Sequence, residues 1–219
     1  MKWKLVCASM VLAMSTSAIA QDTGGVTVGV TGGTLGIGPE ASYRFSKSVA
    51  VRGNLTFLNV DRSVDSDDIE YNGDLKLGSG GVMADFHPFG NGFRVSAGAR
   101  INSNKVRLRA TPTADVEVGD ETYSPSEIGT LSGTVKANDF APTLTVGWGG
   151  GLTKGLKVGV EAGAMFHGSP RVRNLSASGS LASDPDFQAS LRDESDEIED
   201  DIDKYKIYPV VQLSIGYRF

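Results

Sequence analysis

Four groups of residues carry side chains suited to chemistry, and His167-Gly168-Ser169 is the most suggestive. A serine beside a histidine is a nucleophile beside a base, but the imidazole needs an acidic group to orient it. The chain continues Pro170-Arg171-Val172-Arg173, and no acid follows within ten residues. Asp61, Asp65, Asp67 and Asp68 supply carboxylates for calcium, yet the spacing lacks the glycine and terminal glutamate of an EF-hand loop. Gly33-x-x-Gly36-x-Gly38 and Gly147 to Gly151 have the glycine density of phosphate loops, but neither is followed by a helix pattern, so dinucleotide binding fails its context test. The fourth group is acidic. Asp193, Glu194, Asp196, Glu197, Asp200 and Asp201 form either a solvated helix face or a surface for divalent cations. No catalytic residue and no cofactor is expected, and the metal question stays open.

The compartment limits these options further. Lys2 and Lys4, an apolar run from Leu5 to Met14, and Ala18-Ile19-Ala20 have the layout of a secretory signal peptide, with the cut expected before Gln21. The only cysteine, Cys7, falls inside it, so the mature chain is expected to lack disulfides and cysteine chemistry. Without Lys2 and Lys4, 19 of the 21 basic residues face 26 acidic ones, a net charge of −7. That excludes the basic footprint of nucleic-acid binding. Beyond residue 20 no run reaches the roughly 18 apolar residues of a membrane helix. Residues 21–219 read as one domain.

Strands with a period of two must position the charged residues. Back from Phe219, the alternate residues Tyr217, Ile215, Leu213, Val211, Pro209 and Ile207 are apolar, and Arg218, Gly216, Ser214 and Gln212 intervene. The pattern recurs over residues 35–45, 93–102, 140–149 and 156–167, as in membrane barrels with an apolar outside and a polar inside. After Asn102 the parity slips to Val106, Leu108 and Ala110, which predicts a bulge near Ser103. Short connections at 46–48, 89–92 and 153–155 alternate with long polar ones at 62–69, 112–133 and 179–204. A first strand from Gly25 to Thr31, turning at Gly32-Gly33, makes the count eight. Tyr43, Phe45, Phe93, Trp148, Tyr217 and Phe219 would gird the short-turn end, and Phe57, Tyr71, Phe140, Phe166 and Tyr205 the other.

The predicted lumen holds Glu40, Arg44, Arg52, Asp85, Arg94, Arg100, Lys157 and Glu161. A barrel this narrow is filled by side chains, so these charges are expected to pair into a plug. A narrow path for small solutes or ions is the alternative. Residues 184–203 form the expected helix: Asp184 caps it, Pro185 starts it, Phe187, Leu191, Ile198 and Ile202 make an apolar stripe, and Lys204 follows the end.

At the C-terminus, Leu213-Ser214-Ile215-Gly216-Tyr217-Arg218-Phe219 resembles the terminal signal of bacterial outer-membrane proteins. The resemblance implies that the barrel assembly machinery reads Leu213, Ile215, Gly216, Tyr217 and Phe219. The chain as a whole resembles the small eight-stranded barrels of the OmpA, OmpX and OmpW kind. It is more closely similar to a proteobacterial branch with an Asp-aromatic-His-Pro-Phe element, here Asp85 to Phe89, and an acidic segment before Tyr-Pro-Val-Val, here Tyr208 to Val211. The resemblance covers essentially the whole mature chain and brings no activity with it.

The expectation is therefore an all-β, eight-stranded antiparallel transmembrane up-and-down barrel with short periplasmic turns, long extracellular loops and one short acidic helix in the last loop. It would sit in the outer membrane among lipid and lipopolysaccharide, as a monomer with a structural or surface-interaction role. A lipid A-modifying hydrolase is the least favoured reading, because His167 falls by parity on the lumen face while such a substrate lies in the membrane.

Overall fold

A computed structural model describes residues 24–66 and 69–219. The expected signal segment with its cut before Gln21, Cys7, and the aspartates Asp67 and Asp68 lie outside the described residues. The strands are β1 (Gly25–Gly33), β2 (Gly36–Arg44), β3 (Val49–Ser66), β4 (Ile69–Phe86), β5 (Phe93–Asn102), β6 (Lys105–Pro112), β7 (Val116–Val118), β8 (Glu121–Tyr123), β9 (Leu131–Lys136), β10 (Phe140–Trp148), β11 (Gly155–Phe166), β12 (Arg171–Ser176) and β13 (Ile207–Arg218). Helix α1 (Pro125–Ile128) follows β8, and α2 (Pro185–Ile202) lies between β12 and β13.

Eleven strands share one antiparallel sheet, where the sequence predicted eight in all. Its order is β12-β9-β6-β4-β3-β2-β1-β13-β11-β10-β5, and β5 pairs back on β4 from Phe86↔Val95 to Ser79↔Asn102. That last pairing closes a ring of β4, β3, β2, β1, β13, β11, β10 and β5. The other three, β6, β9 and β12, branch from the upper half of β4 and form an upper sheet with the β3–β4 ribbon.

The two-residue period decides what each face of the ring meets. On β13 Leu213, Ile215 and Tyr217, with Phe219 just past its end, are exposed on the outside, whereas Val210, Gln212 and Arg218 are buried inside. The pattern continues around the ring, with Ile37, Val82, Leu144, Leu156 and Val158 exposed. The ring is apolar outside and polar inside, the inverse of a water-soluble sheet.

Four local expectations need correction. The first turn is Thr34-Leu35, because β1 pairs with β2 up to Gly33↔Gly36. Residues 62–69 are no long loop: β3 and β4 stay paired to Ser66↔Ile69. Tyr71 belongs to the upper sheet, where it lines a hollow under α2 with Leu108, Val135 and Ile198, and so leaves the aromatic girdle.

The fourth correction concerns Ser103. Ser79 faces Asn102 and Lys76 faces Lys105, equal steps on both strands, so no residue is inserted against β4. The ladder is only interrupted: the Ser103 amide donates to Gly78 O at 2.8 Å, and the Gly78 amide donates to Asn104 Oδ1 at 2.9 Å. Parity slips because the apolar environment changes sides. Below Ser103, Val95, Ala97 and Ile101 cover the outside of the ring. Above it, Leu108 and Ala110 turn inward with Val172 and Leu175, toward α2.

There Phe187 and Leu191 of α2 form a second core with Val118 and Ile128, flanked by Tyr123, Leu131 and Leu175. Asp184 caps α2 as expected, accepting from the amides of Asp186 and Phe187 at 3.0 and 3.2 Å. Phe187→Ala or Leu191→Ala should cost roughly 2–5 kcal/mol of local stability. Amide hydrogen exchange should accelerate in β6, β9 and β12 while β1, β2 and β13 stay protected. Equal acceleration in both groups would show that ring and upper sheet open as one unit.

Candidate functional site

The ring interior is stratified along its axis. Nearest the short turns, Arg44 at the end of β2 donates to the carbonyls of Gly150 (2.6 Å), Lys47 (2.6 Å) and Ser46 (3.2 Å). It ties two turns together and joins no carboxylate among the described residues. Lys157 of β11 also stays outside the expected charge network, with its ammonium on Thr153 Oγ1 at 2.8 Å. Arg218 is buried near this end, opposite Gly25, where a Cβ would stand 2.5 Å from the guanidinium.

One layer further in, the charges converge on Arg52 of β3. Its Nη1 donates to Glu40 Oε2 at 3.2 Å, and its Nε and Nη2 grip Asp85 at 3.1 and 3.2 Å. The Nη2 also donates to Glu161. Arg94 Nη2 approaches the same Glu161 oxygen at 3.1 Å, and Asn54 Nδ2 supports Glu40 at 3.3 Å. Of the eight sequence-predicted lumen charges, Glu40, Arg52, Asp85, Arg94 and Glu161 thus form one ion-paired cluster. Below it lies a cavity of about 50 Å³ bounded by Arg44, His87, Lys157 and Arg218.

Above the cluster the lining becomes hydroxylic. Arg100 of β5 donates to Ser79 Oγ from Nε (3.2 Å) and Nη2 (2.9 Å), and weakly to Thr56 Oγ1 at 3.4 Å. It too has no carboxylate partner among the described residues. Gly81 leaves room for it, since a Cβ there would stand 2.8 Å from Arg100 Cγ. At the far end the lumen turns apolar: Leu35, Ala141, Met165 and Val210 close together, with Tyr208 against them. Leu35 reaches that plug because the turn is stitched to β13. Thr34 Oγ1 donates to Pro209 O at 2.9 Å and accepts from the Val211 amide at 3.0 Å, and Tyr208 Oη donates to Thr34 O at 2.6 Å.

Sequence reasoning set Ser96, Thr143, Thr145, Gln212 and Arg218 on the polar strand face without counting them in the lumen network, and passed over Asn54, Thr56 and Ser79; all eight are buried inside the ring. They share the strand parity of the charged residues, which was the available signal. Ala141, Met165 and Val210 of the plug share that parity too; Leu35, expected on the apolar strand face over residues 35–45, sits instead in the turn and is buried in the plug.

Outside the ring, the acidic residues do not gather into a metal site: among the described residues no three Asp, Glu, His or Cys groups have metal-holding geometry. Asp193, Asp196, Glu197, Asp200 and Asp201 are exposed. Glu194 accepts from the Gly119 amide at 3.2 Å, and Glu199 accepts from the Val172 amide at 2.9 Å and from Arg171 at 2.8 Å. The serine of the His-Gly-Ser element does find an acid, from far along the chain: Ser169 Oγ donates to Asp203 Oδ1 at 2.6 Å. His167 is buried and meets Tyr208 edge-on, 6.1 Å between ring centres. The acid therefore holds the hydroxyl directly and does not orient the imidazole, which is not a nucleophile-activating relay.

Fold and lumen together define a closed antiparallel β-barrel with a side-chain-filled polar interior. Among solved structures, the chain is similar to CarO2 of Acinetobacter baumannii (TM-score 0.61, 23% identity, covering 89% of this chain and 98% of that one). CarO of the same organism is similar as well (TM-score 0.57, 22% identity, 90% and 98%). The likeness is one of fold. No protein-family model and no curated protein matches the chain.

Arg52→Met would leave Glu40, Asp85 and Glu161 together without their common cation. It should cost about 3–5 kcal/mol in denaturant unfolding of the refolded protein, part of which Glu161→Gln should restore. The Asp203 carboxyl is held below the usual carboxylate range by its hydrogen bonds from Lys206 and Ser169. Its docking contribution is therefore complete above about pH 4 and is lost as pH falls through the depressed value. Carboxyl titration by NMR should move the Asp203 midpoint up toward the ordinary aspartate range in Lys206→Gln with Ser169→Ala; an unchanged midpoint would refute the assignment.

Proposed function

We propose that this chain is an integral outer-membrane β-barrel protein with a sealed lumen, serving envelope structure or surface interaction without enzymatic activity. The observation that carries the reading is the apolar exterior of the ring. Leu156, Val158, Val82 and Leu213 are each more than 60% exposed, within a belt of similar residues around the barrel. Soluble monomers rarely expose contiguous apolar patches beyond a few hundred Å². Phe45, Trp148, Tyr217 and Phe219 at the short-turn end, with Phe57, Phe140 and Phe166 at the other, are exposed where interfacial aromatics belong. No helix among the described residues is long and apolar enough to cross a membrane.

In this reading the first twenty residues are a cleaved signal peptide, the short turns face the periplasm and the upper sheet faces outward. The terminal Leu213, Ile215, Gly216, Tyr217 and Phe219 serve as the assembly signal, and the protein works as a monomer among lipid and lipopolysaccharide. Kinship with the OmpA, OmpX and OmpW group rests on sequence resemblance alone. The absence of hydrolase activity is supported by the Ser169–Asp203 pairing. The sealed lumen is supported by two successive barriers, the Arg52 cluster and the Leu35–Met165–Val210 plug. A narrow channel would have to displace both.

Refolded into planar bilayers, the protein should give no discrete conductance, and on gels it should shift on heating. Ion-selective openings would establish the channel. Release from cells without detergent would overturn the membrane reading itself.

A further inference from the structure

The outer face of the upper sheet carries cations that the lumen does not use. Register sets Lys76 of β4 opposite Lys105 of β6, Lys105 opposite Lys136 of β9, and Lys136 opposite Arg171 of β12. In the next row Arg107 faces Thr134, which faces Arg173. Directly opposed like charges on neighbouring strands destabilise a sheet, so folding gives no reason for four cations in one row.

The acids at hand neutralise only two of them. Asp139 takes Lys136 at 2.5 Å and Glu199 takes Arg171 at 2.8 Å. Asp74 stands opposite Arg107, with Asp61 beyond it on β3. Lys76, Lys105, Arg107, Arg109 and Arg173 are in no ion pair among the described residues. Lys105, Arg107, Thr134, Lys136, Arg171 and Arg173 line one open, mostly polar hollow of about 560 Å³.

Position tells which anion fits. This face continues the apolar outside of the ring, not its lumen. Ile101 and Phe140 pair with each other at the upper end of the apolar belt, both 61% exposed. Lys105 lies four residues beyond Ile101, and Lys136 four before Phe140. Four residues span about 13 Å of strand, or roughly 10 Å of height at the tilt of a membrane barrel. That is at the outer edge of the headgroup layer, which extends roughly 5–8 Å beyond the hydrocarbon on each side. Long cationic side chains there reach anionic groups at the interface, and guanidiniums grip phosphate through two nitrogens.

We propose that the Lys105–Arg107–Lys136–Arg171–Arg173 face binds phosphate groups of outer-leaflet lipid headgroups of the lipopolysaccharide class. The proposal rests on the outer-membrane reading. It also assigns lipid contact to the basic sheet and leaves the acidic helix α2 to close the inner side.

The test titrates detergent-solubilised, refolded protein with bisphosphorylated lipid A, dephosphorylated lipid A and inorganic phosphate. The bisphosphorylated lipid should bind at least 10-fold tighter than either of the others. The triple variant Lys105→Gln, Arg107→Gln, Arg173→Gln should weaken it roughly 100-fold, from about fivefold per cation. Lys105→Arg with Arg107→Lys and Arg173→Lys should largely keep it. Equal affinity for the dephosphorylated lipid, an unchanged triple variant, or equally tight inorganic phosphate would each overturn the proposal. The heat-induced gel shift is read in the same samples. Its absence in the wild-type protein defeats the membrane reading, while its presence with indifferent lipid binding defeats this inference alone.

Discussion

From β3, Arg52 reaches Glu40 on one neighbouring strand, Asp85 on the other, and Glu161 straight across the lumen. In the ring order, β11 stands four strands from β3 in either direction, so the Arg52–Glu161 contact spans the diameter. A ring of this size is just wide enough to be filled by side chains. One guanidinium with five donors can therefore satisfy three carboxylates, and Arg94 completes the fourth side from β5. Removing charges from water is costly unless they meet with good geometry. The cluster forms only when strands distant in sequence have closed, so it ties ring closure to a particular register.

Once that register is set, every strand in the ring has its faces assigned. Residues sharing parity with Arg52, Asp85 and Glu161 near the cluster are mostly polar or small, with Met83 an apolar exception, and their neighbours must suit whatever lies outside. The glycines follow from the same constraint, since Gly81 and Gly25 stand where Arg100 and Arg218 fill the lumen. At the upper end the demand for charge ceases, and the interior closes with Leu35, Met165 and Val210, which no solute charge would favour.

The period-two pattern over residues 207–219 was legible because one environment covers each face along the whole strand. The expected bulge near Ser103 is absent; a parity slip in one strand looks the same whether a residue is inserted or the apolar neighbour changes sides. Only the partner register, Ser79↔Asn102 and Lys76↔Lys105, separates the two. Arg44 and Arg100 shared the parity of the ion-paired residues, but their partners are turn carbonyls and hydroxyls. Composition does not distinguish those from carboxylates. Asp203 lay 34 residues from Ser169 and was beyond any local motif.

The same sheet therefore meets three environments in turn, and each leaves its mark on different residues. In the ring, apolar side chains point outward and charges inward. In the upper sheet the order is inverted, with Leu108, Val135 and Val172 facing α2 and Lys105, Lys136 and Arg171 facing out. The inversion falls near Ser103, just beyond Ile101 and Phe140. A water-soluble extension would need only a polar outside, and a mixture of signs would serve it best. Of the row of aligned cations only Lys136 and Arg171 have acids beside them, which leaves Lys76 and Lys105 unpaired among the described residues at the level where the apolar belt gives way.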